Sequence, residues 1–258
     1  MSADHKIDLQ AAFVLHQRPY RESSLLLEVF GIGSGRVGLI AKGARRPFSP
    51  FRTQLRSFHA LLLSWRGKGE LGVLVGAEPD GPALVIPPAA IISGLYLNEL
   101  LVRLLHRHDP HRELFDQYRR TLTALAEADC PVEQSLRIFE KRLLEAVGYG
   151  LMLERTADSG RPVTPESCYR YVTDHGPIEV GEKENSAGLR VQGSTLLALA
   201  FEQPMNPAEL KEAKQLMRTA INVQLEGRPL VSRTMYPRKN APIRARAKSG
   251  STNPEAVG

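Results

Sequence analysis

The apolar period of this chain changes once, across a proline-flanked stretch at 79–88, and the two sides of that change call for different architectures. Before it, hydrophobic and polar residues alternate. Leu25, Leu27 and Val29 share one strand face, Val37, Leu39 and Ala41 share another, and 61–65 and 72–75 are short apolar runs bounded by glycines. The pattern predicts five strands at about 8–18, 23–30, 35–42, 58–66 and 70–78. Gly31, Gly33 and Gly35 punctuate one turn, and Gly67 and Gly69 another. No helix-length amphipathic segment separates the strands, which excludes a Rossmann half. Five short strands with a long loop after the third suit a five-stranded Greek-key barrel of the OB type.

Beyond residue 88 the period is helical. Residues 89–106 are apolar on most faces, as a central bundle helix requires. A second helix over about 111–128 carries Leu114, Tyr118, Leu122 and Leu125 on one stripe. A third runs from Pro131 to Gly148, with Val132, Leu136, Phe139, Leu143 and Val147 as its buried stripe. Residues 156–190 are turn-rich and promise little beyond a strand at 169–172. A last long helix follows Asn206-Pro207, with Glu209 in its first turn, and ends near Gly227. The pattern divides the chain into a barrel at 1–80, a helical domain at 81–155, a third region at 156–236 and a basic, disordered tail at 237–258.

Charge matters through its placement. The formal net charge is +6, from 34 Lys and Arg against 28 Asp and Glu. Residues 42–56 hold Lys42, Arg45, Arg46, Arg52 and Arg56 and no acid, and 228–248 are also basic-rich. An acid-free basic segment attracts a polyanion. In the first of these, Phe48 and Phe51 are interleaved with the cations, the combination that single-strand binding uses: phosphates neutralised, bases stacked. A solvated loop with its rings tucked against the barrel edge is the plainer alternative.

Other motifs carry less. Gly33-Ser34-Gly35-Arg36-Val37-Gly38 has the letters of a dinucleotide fingerprint but leads into a strand instead of a helix, so it is assigned to a hairpin turn. His106, His108, Asp109 and His111 fall where two helices must be joined, and a polar loop explains them. Cys130 and Cys168 are too few for a four-thiolate zinc site. There is no nucleophile elbow, phosphate-binding loop or kinase signature. The expectation is a non-enzymatic protein without metal or cofactor. No apolar signal core or membrane span is visible, which predicts a soluble, cytoplasmic protein with no membrane partner. On the third bundle helix, Arg137 and Lys141 share a face, with Glu133 and Glu140 at pairing distance in sequence, which reads by default as a salt-bridged surface.

These residues together resemble the RecO recombination mediators. The resemblance lies in Phe13-Val14-Leu15-His16, in 18–25 (RPYRESSL), in Val29-Phe30, Gly35-Arg36-Val37 and Ala41-Lys42-Gly43-Ala44-Arg45. It continues through 93–101 (SGLYLNELL), Gly148-Tyr149-Gly150 and 226–233 (EGRPLVSR). It covers about 9–236. It implies an α+β protein: an OB-fold DNA-binding barrel, a helical bundle, and a zinc-finger-like segment whose long last helix packs back on the bundle. It also implies a role in DNA repair and recombination after DNA damage: binding single- and double-stranded DNA, annealing complementary strands, and helping RecA load on DNA coated by single-strand binding protein, with RecR as partner. Carried over by position, Lys42, Arg45 and Arg46 become DNA contacts, with Arg52 and Arg56 beside them. Arg137 becomes the candidate holder of the single-strand binding protein's acidic C-terminal tail, with Lys141 beside it and Tyr118 as a pocket wall. Many members carry a four-cysteine zinc module where this chain has Ser167-Cys168-Tyr169-Arg170-Tyr171, which places it with the zinc-lacking members. The competing reading is a generic OB-fold RNA-binding protein.

Overall fold

The computed structural model describes residues 5–67, 70–127, 130–180 and 188–235. The basic tail at 237–258 lies outside them.

Strands β1 (His5–Tyr20), β2 (Ser24–Gly31), β3 (Gly35–Ala41), β4 (Ala60–Gly67) and β5 (Leu71–Pro79) close into a barrel in the order β1-β2-β3-β5-β4. All pairs are antiparallel except β3 with β5. β1 serves two neighbours because irregularities between Ile7 and Gln10 and between Val14 and His16 bend it from β4 on to β2. The glycine-rich turn joins β2 to β3 with Gly31 opposite Gly35, a hairpin as the sequence predicts.

Period-two burial runs on both faces of β1. Ala12 and Val14 point into the barrel with Leu27, Val29, Val37, Leu39, Leu63 and Trp65. Phe13 and Leu15 point the other way, into a second core with Phe30 and the helices. Alternation therefore encodes two hydrophobic surfaces, one filling the barrel and one docking it.

A four-residue helix α1 (Phe51–Gln54) interrupts the β3–β4 connection. Helices α2 (Pro88–Leu104), α3 (Arg112–Ala126) and α4 (Val132–Ala146) follow. α3 meets the barrel through aromatic contacts: Phe13 lies 5.0 Å edge-on from Tyr118 and 5.3 Å from Phe115, and Phe30 lies 5.4 Å from Phe115. Gly148 ends the α4 turn with φ +85°, a conformation that favours glycine. At the barrel–helix junction, Gly35 has φ +63° and an added Cβ would overlap the backbone of Asp109, so the hairpin and the α2–α3 loop touch there without room for a side chain.

The region after 150 holds more structure than its polarity suggests. β6 (Cys168–Val172), β7 (Gly176–Glu179) and β8 (Leu189–Gln192) form a three-stranded antiparallel sheet in the order β7-β6-β8, and α5 (Gly193–Ala200) follows directly. Only the first of these strands is legible in the sequence. Tyr169, fully buried, packs in the same core as the helices, so sheet and bundle are continuous. α6 (Pro207–Gln224) starts at a capping box: Asn206 accepts from the amides of Ala208 and Glu209, and Glu209 accepts from the amide of Asn206. Its buried face, Ala213, Leu216, Met217, Ala220 and Ile221, packs on α4, and Lys214 pairs with Glu133 at 3.0 Å. A short α7 (Val231–Thr234) is tied to α2 by Glu99, whose carboxylate accepts from the amides of Val231 and Ser232 and from the Ser232 hydroxyl.

Candidate nucleic-acid interface

The loop from Lys42 to the start of β4 is fastened at both ends and open between. Ala44 and Leu55 are buried and Phe51 packs against the barrel core. Successive turns (Arg46 N to Gly43 O, Ser49 N to Arg46 O, Arg52 N to Ser49 O) hold the intervening backbone. The five predicted cations, Lys42, Arg45, Arg46, Arg52 and Arg56, are all exposed. Among the described residues, no carboxylate forms an ion pair with any of them. On the helices, by comparison, Arg103, Arg119, Arg137, Lys141, Arg142 and Lys214 each face an acid. Charge on the barrel loop is therefore available to an external anion, whereas Arg137 and Lys141 on the bundle are buried against internal acids.

The five are not equivalent. The Arg45 amide donates to Ser23 O at 2.9 Å, and its guanidinium donates to the carbonyls of Glu22 at 3.2 Å and Arg21 at 3.4 Å. Arg45 thus clamps the basic loop on to the β1–β2 turn. That contact adds a residue the sequence did not single out: exposed Arg21, held with φ +52° and its guanidinium 5.3 Å from the Tyr20 ring. The signal for Arg21 is the register of the β2–β3 pair: with Leu25 opposite Ala41, the turn at 21–23 falls beside residue 45. Lys42 and Arg46 border a groove of about 460 Å³ that Phe48, Pro50 and Phe51 complete.

The residues proposed for the partner tail sit differently. Arg137 is only 6% exposed; its Nη2 lies 3.0 Å from Glu140 Oε1, which also accepts from the Tyr96 hydroxyl at 2.6 Å. Burial pushes the Glu140 carboxyl up, against the opposing pull of Arg137. The partner of Arg137 is thus Glu140 and not Glu133, and the pair is buried and not a surface bridge. Lys141 is also buried; it donates to the Ala200 carbonyl at the end of α5 and pairs with Glu202 at 3.0 Å. Tyr118 has no exposed surface and donates to Asn98, so it walls the barrel–helix core and not a surface pocket. The structure brings Arg137 and Lys141 on to one helix but spends both on internal partners.

Cys130 and Cys168 are free thiols, one before α4 and one opening β6. Among the described residues, no three His, Cys, Asp or Glu side chains gather as metal ligands, and in the histidine loop His111 pairs with Asp109 at 3.2 Å. No described helix is long and apolar enough to cross a membrane.

Comparison with known proteins agrees with this anatomy. The family model described as "Recombination protein O N terminal" matches residues 7–82, and "Recombination protein O C terminal" matches 88–234. The chain is 48% identical over 237 residues to the DNA repair protein RecO of Alkalilimnicola ehrlichii, covering 92% of this chain and 93% of that protein. It is 46% identical over 231 residues to the DNA repair protein RecO of Methylococcus capsulatus, covering 90% and 93%. The RecO protein of Nitrosospira multiformis is 44% identical over 230 residues, covering 88% and 94%. With both family models matched in order and relatives aligned along nearly their whole length, the chain belongs to the RecO family of DNA repair proteins.

Proposed function

We propose that this protein binds single- and double-stranded DNA through the basic loop of its barrel, anneals complementary strands without any covalent step, and helps RecA load on DNA coated by single-strand binding protein, with RecR as partner. The observation that carries the DNA-binding part is the set of five exposed loop cations with no ion pair among the described residues. A polyanion binding there displaces only counterions, and no internal salt bridge has to break. Two strands neutralised at one surface repel each other less, which brings complementary bases within reach. The site does this as a non-enzymatic mediator on the nucleoid.

The acidic tail of the single-strand binding protein is assigned to the α4 face around Arg137 and Lys141. The Nε of Arg137 is buried and has no acceptor, which supports capacity for one more carboxylate there. The tail reaches it only if the side chains covering Arg137 move aside.

The test of the DNA surface is Lys42→Ala with Arg46→Ala, which spares the structural clamp at Arg45. Affinity for a single strand falls, and two lost phosphate contacts lower the salt-dependence slope by roughly 1.4. An unchanged slope with an intact circular dichroism spectrum places the DNA elsewhere. A marked preference for structured RNA, with no effect of single-strand binding protein, favours an RNA-binding role instead.

A further inference from the structure

The geometry points to Phe48 as a base-stacking platform, the residue that makes this barrel loop a single-strand site as well as a phosphate site. The inference rests on the reading of the loop as a nucleic-acid surface, and it separates the two phenylalanines that the sequence leaves equivalent. Phe51 is half-buried and packs against the barrel core, so its ring is structural. Phe48 is 100% exposed, three residues away.

A wholly exposed ring is not unusual by itself. Its setting gives it a use. Pro47 and Pro50 flank it, and the turns from Gly43 to Arg52 fix the backbone on either side, so little chain freedom is lost when a ligand docks. The ring borders the groove of about 460 Å³ whose other walls include Lys42, Arg46 and Phe51. A flat apolar face within reach of unpaired cations matches one ligand chemistry closely: an unpaired base attached to a phosphate backbone. An apolar peptide would leave the cations unused, and a duplex would keep its bases stacked on each other and away from the ring. The charge and the ring together therefore select single-stranded nucleic acid.

Selectivity for unpaired bases is what the test reads. Equilibrium binding is measured with an oligothymidylate of about 15 nucleotides, a duplex, and an abasic strand of equal charge, using the full chain. Phe48→Ala weakens oligothymidylate binding about tenfold and leaves duplex and abasic-strand binding within about twofold, because stacking acts only on the first. Phe48→Trp keeps the affinity, and the new indole is quenched by oligothymidylate but not by the abasic strand. The native indole, Trp65, is buried in the barrel and gives a steady background. Unchanged oligothymidylate binding in Phe48→Ala overturns the proposal, and so does an equal loss on all three probes, which would mean that the ring shapes the loop. The underlying reading is judged separately by Lys42→Ala with Arg46→Ala: a loss there beside an unaffected Phe48→Ala rejects the stacking role alone, while no loss in either rejects the loop as the DNA surface.

Discussion

Glu28 on β2 holds two guanidinium groups at once, that of Arg36 from the barrel and that of Arg107 from the loop after α2. Its Oε2 accepts from Arg36 Nη1 at 3.3 Å, and its Oε1 accepts from Arg107 Nη2. The backbones of the two arginines also form a bridge, with His108 N donating to Arg36 O at 3.0 Å. The carboxylate is what permits two like charges to sit together at the barrel–helix junction, where all three side chains are partly buried. Glu28→Ala leaves both cations facing each other, so it destabilises the fold by roughly 2–3 kcal/mol, with Glu28→Gln intermediate. Urea unfolding of the three proteins measures this; equal midpoints would mean that solvent screens the cluster.

Arg45 separates anchoring from binding. Its guanidinium bonds to the carbonyls of residues 21 and 22, so Arg45→Ala frees the loop as well as removing a charge. Hydrogen exchange in 42–56 rises in Arg45→Ala and stays at the parent level in Arg46→Ala, although both weaken DNA binding. Equal exchange in the two variants would show that the Arg45 contacts do not hold the loop.

How much of this was legible follows from where each signal is local. The barrel could be read because strand alternation and glycine turns are short-range, and β1 even shows both its faces in Ala12-Phe13-Val14-Leu15. α6 could be read from its Asn206–Glu209 cap. β7, β8 and α5 could not, because strands of four residues and an eight-residue helix are too short to show a period, and their stability comes from packing around Tyr169 and Leu196. In the candidate site the five cations were legible by composition alone. The roles of Arg45 and Phe51 were not, because each is set by a partner elsewhere in the barrel. Tyr118 stood on its helix's apolar stripe in the sequence, and that stripe, not the pocket role, decided its place. The burial of Arg137 is not legible, because the period of its own helix does not show what packs over that side.

Glu99 makes the α2–α7 junction acid-sensitive. Burial alone would raise its carboxyl, but hydrogen bonds from Ser232 and Val231, helped by Arg103, hold it below the ordinary carboxylate value. A depressed folded value means that the stabilisation is complete above the unfolded value, about 4.3, and is lost as pH falls through the folded value. Glu99→Gln therefore costs roughly 1–2 kcal/mol near neutrality, and the gap to the parent closes as pH drops from about 5 to about 3. Thermal melts of both proteins across that range check the sign; a gap that widens in acid would contradict it.

At Arg137 a structural role and a partner-binding role give different signatures. Its pair with Glu140 is buried, and the same carboxylate holds the Tyr96 hydroxyl. Arg137→Ala strands that carboxylate in the core, a loss of about 3–5 kcal/mol, where a surface bridge would cost only about 0–1 kcal/mol. Burial already holds the Glu140 carboxyl above its ordinary value, and removing the cation raises it further. A raised folded value costs nothing while the group stays protonated, so the loss is small near pH 4 and grows as pH rises towards 7. Arg137→Met with Glu140→Gln removes both charges yet leaves an acceptor for Tyr96, and it recovers most of the stability at pH 7. That double variant is then the right protein for the partner test. Titrating it and the parent with an acidic peptide that ends in an aromatic residue and a free carboxylate separates the roles. A loss of about 1.5–3 kcal/mol of binding in the stable double variant assigns the tail to Arg137. Equal binding leaves Arg137 and Glu140 as a structural pair alone.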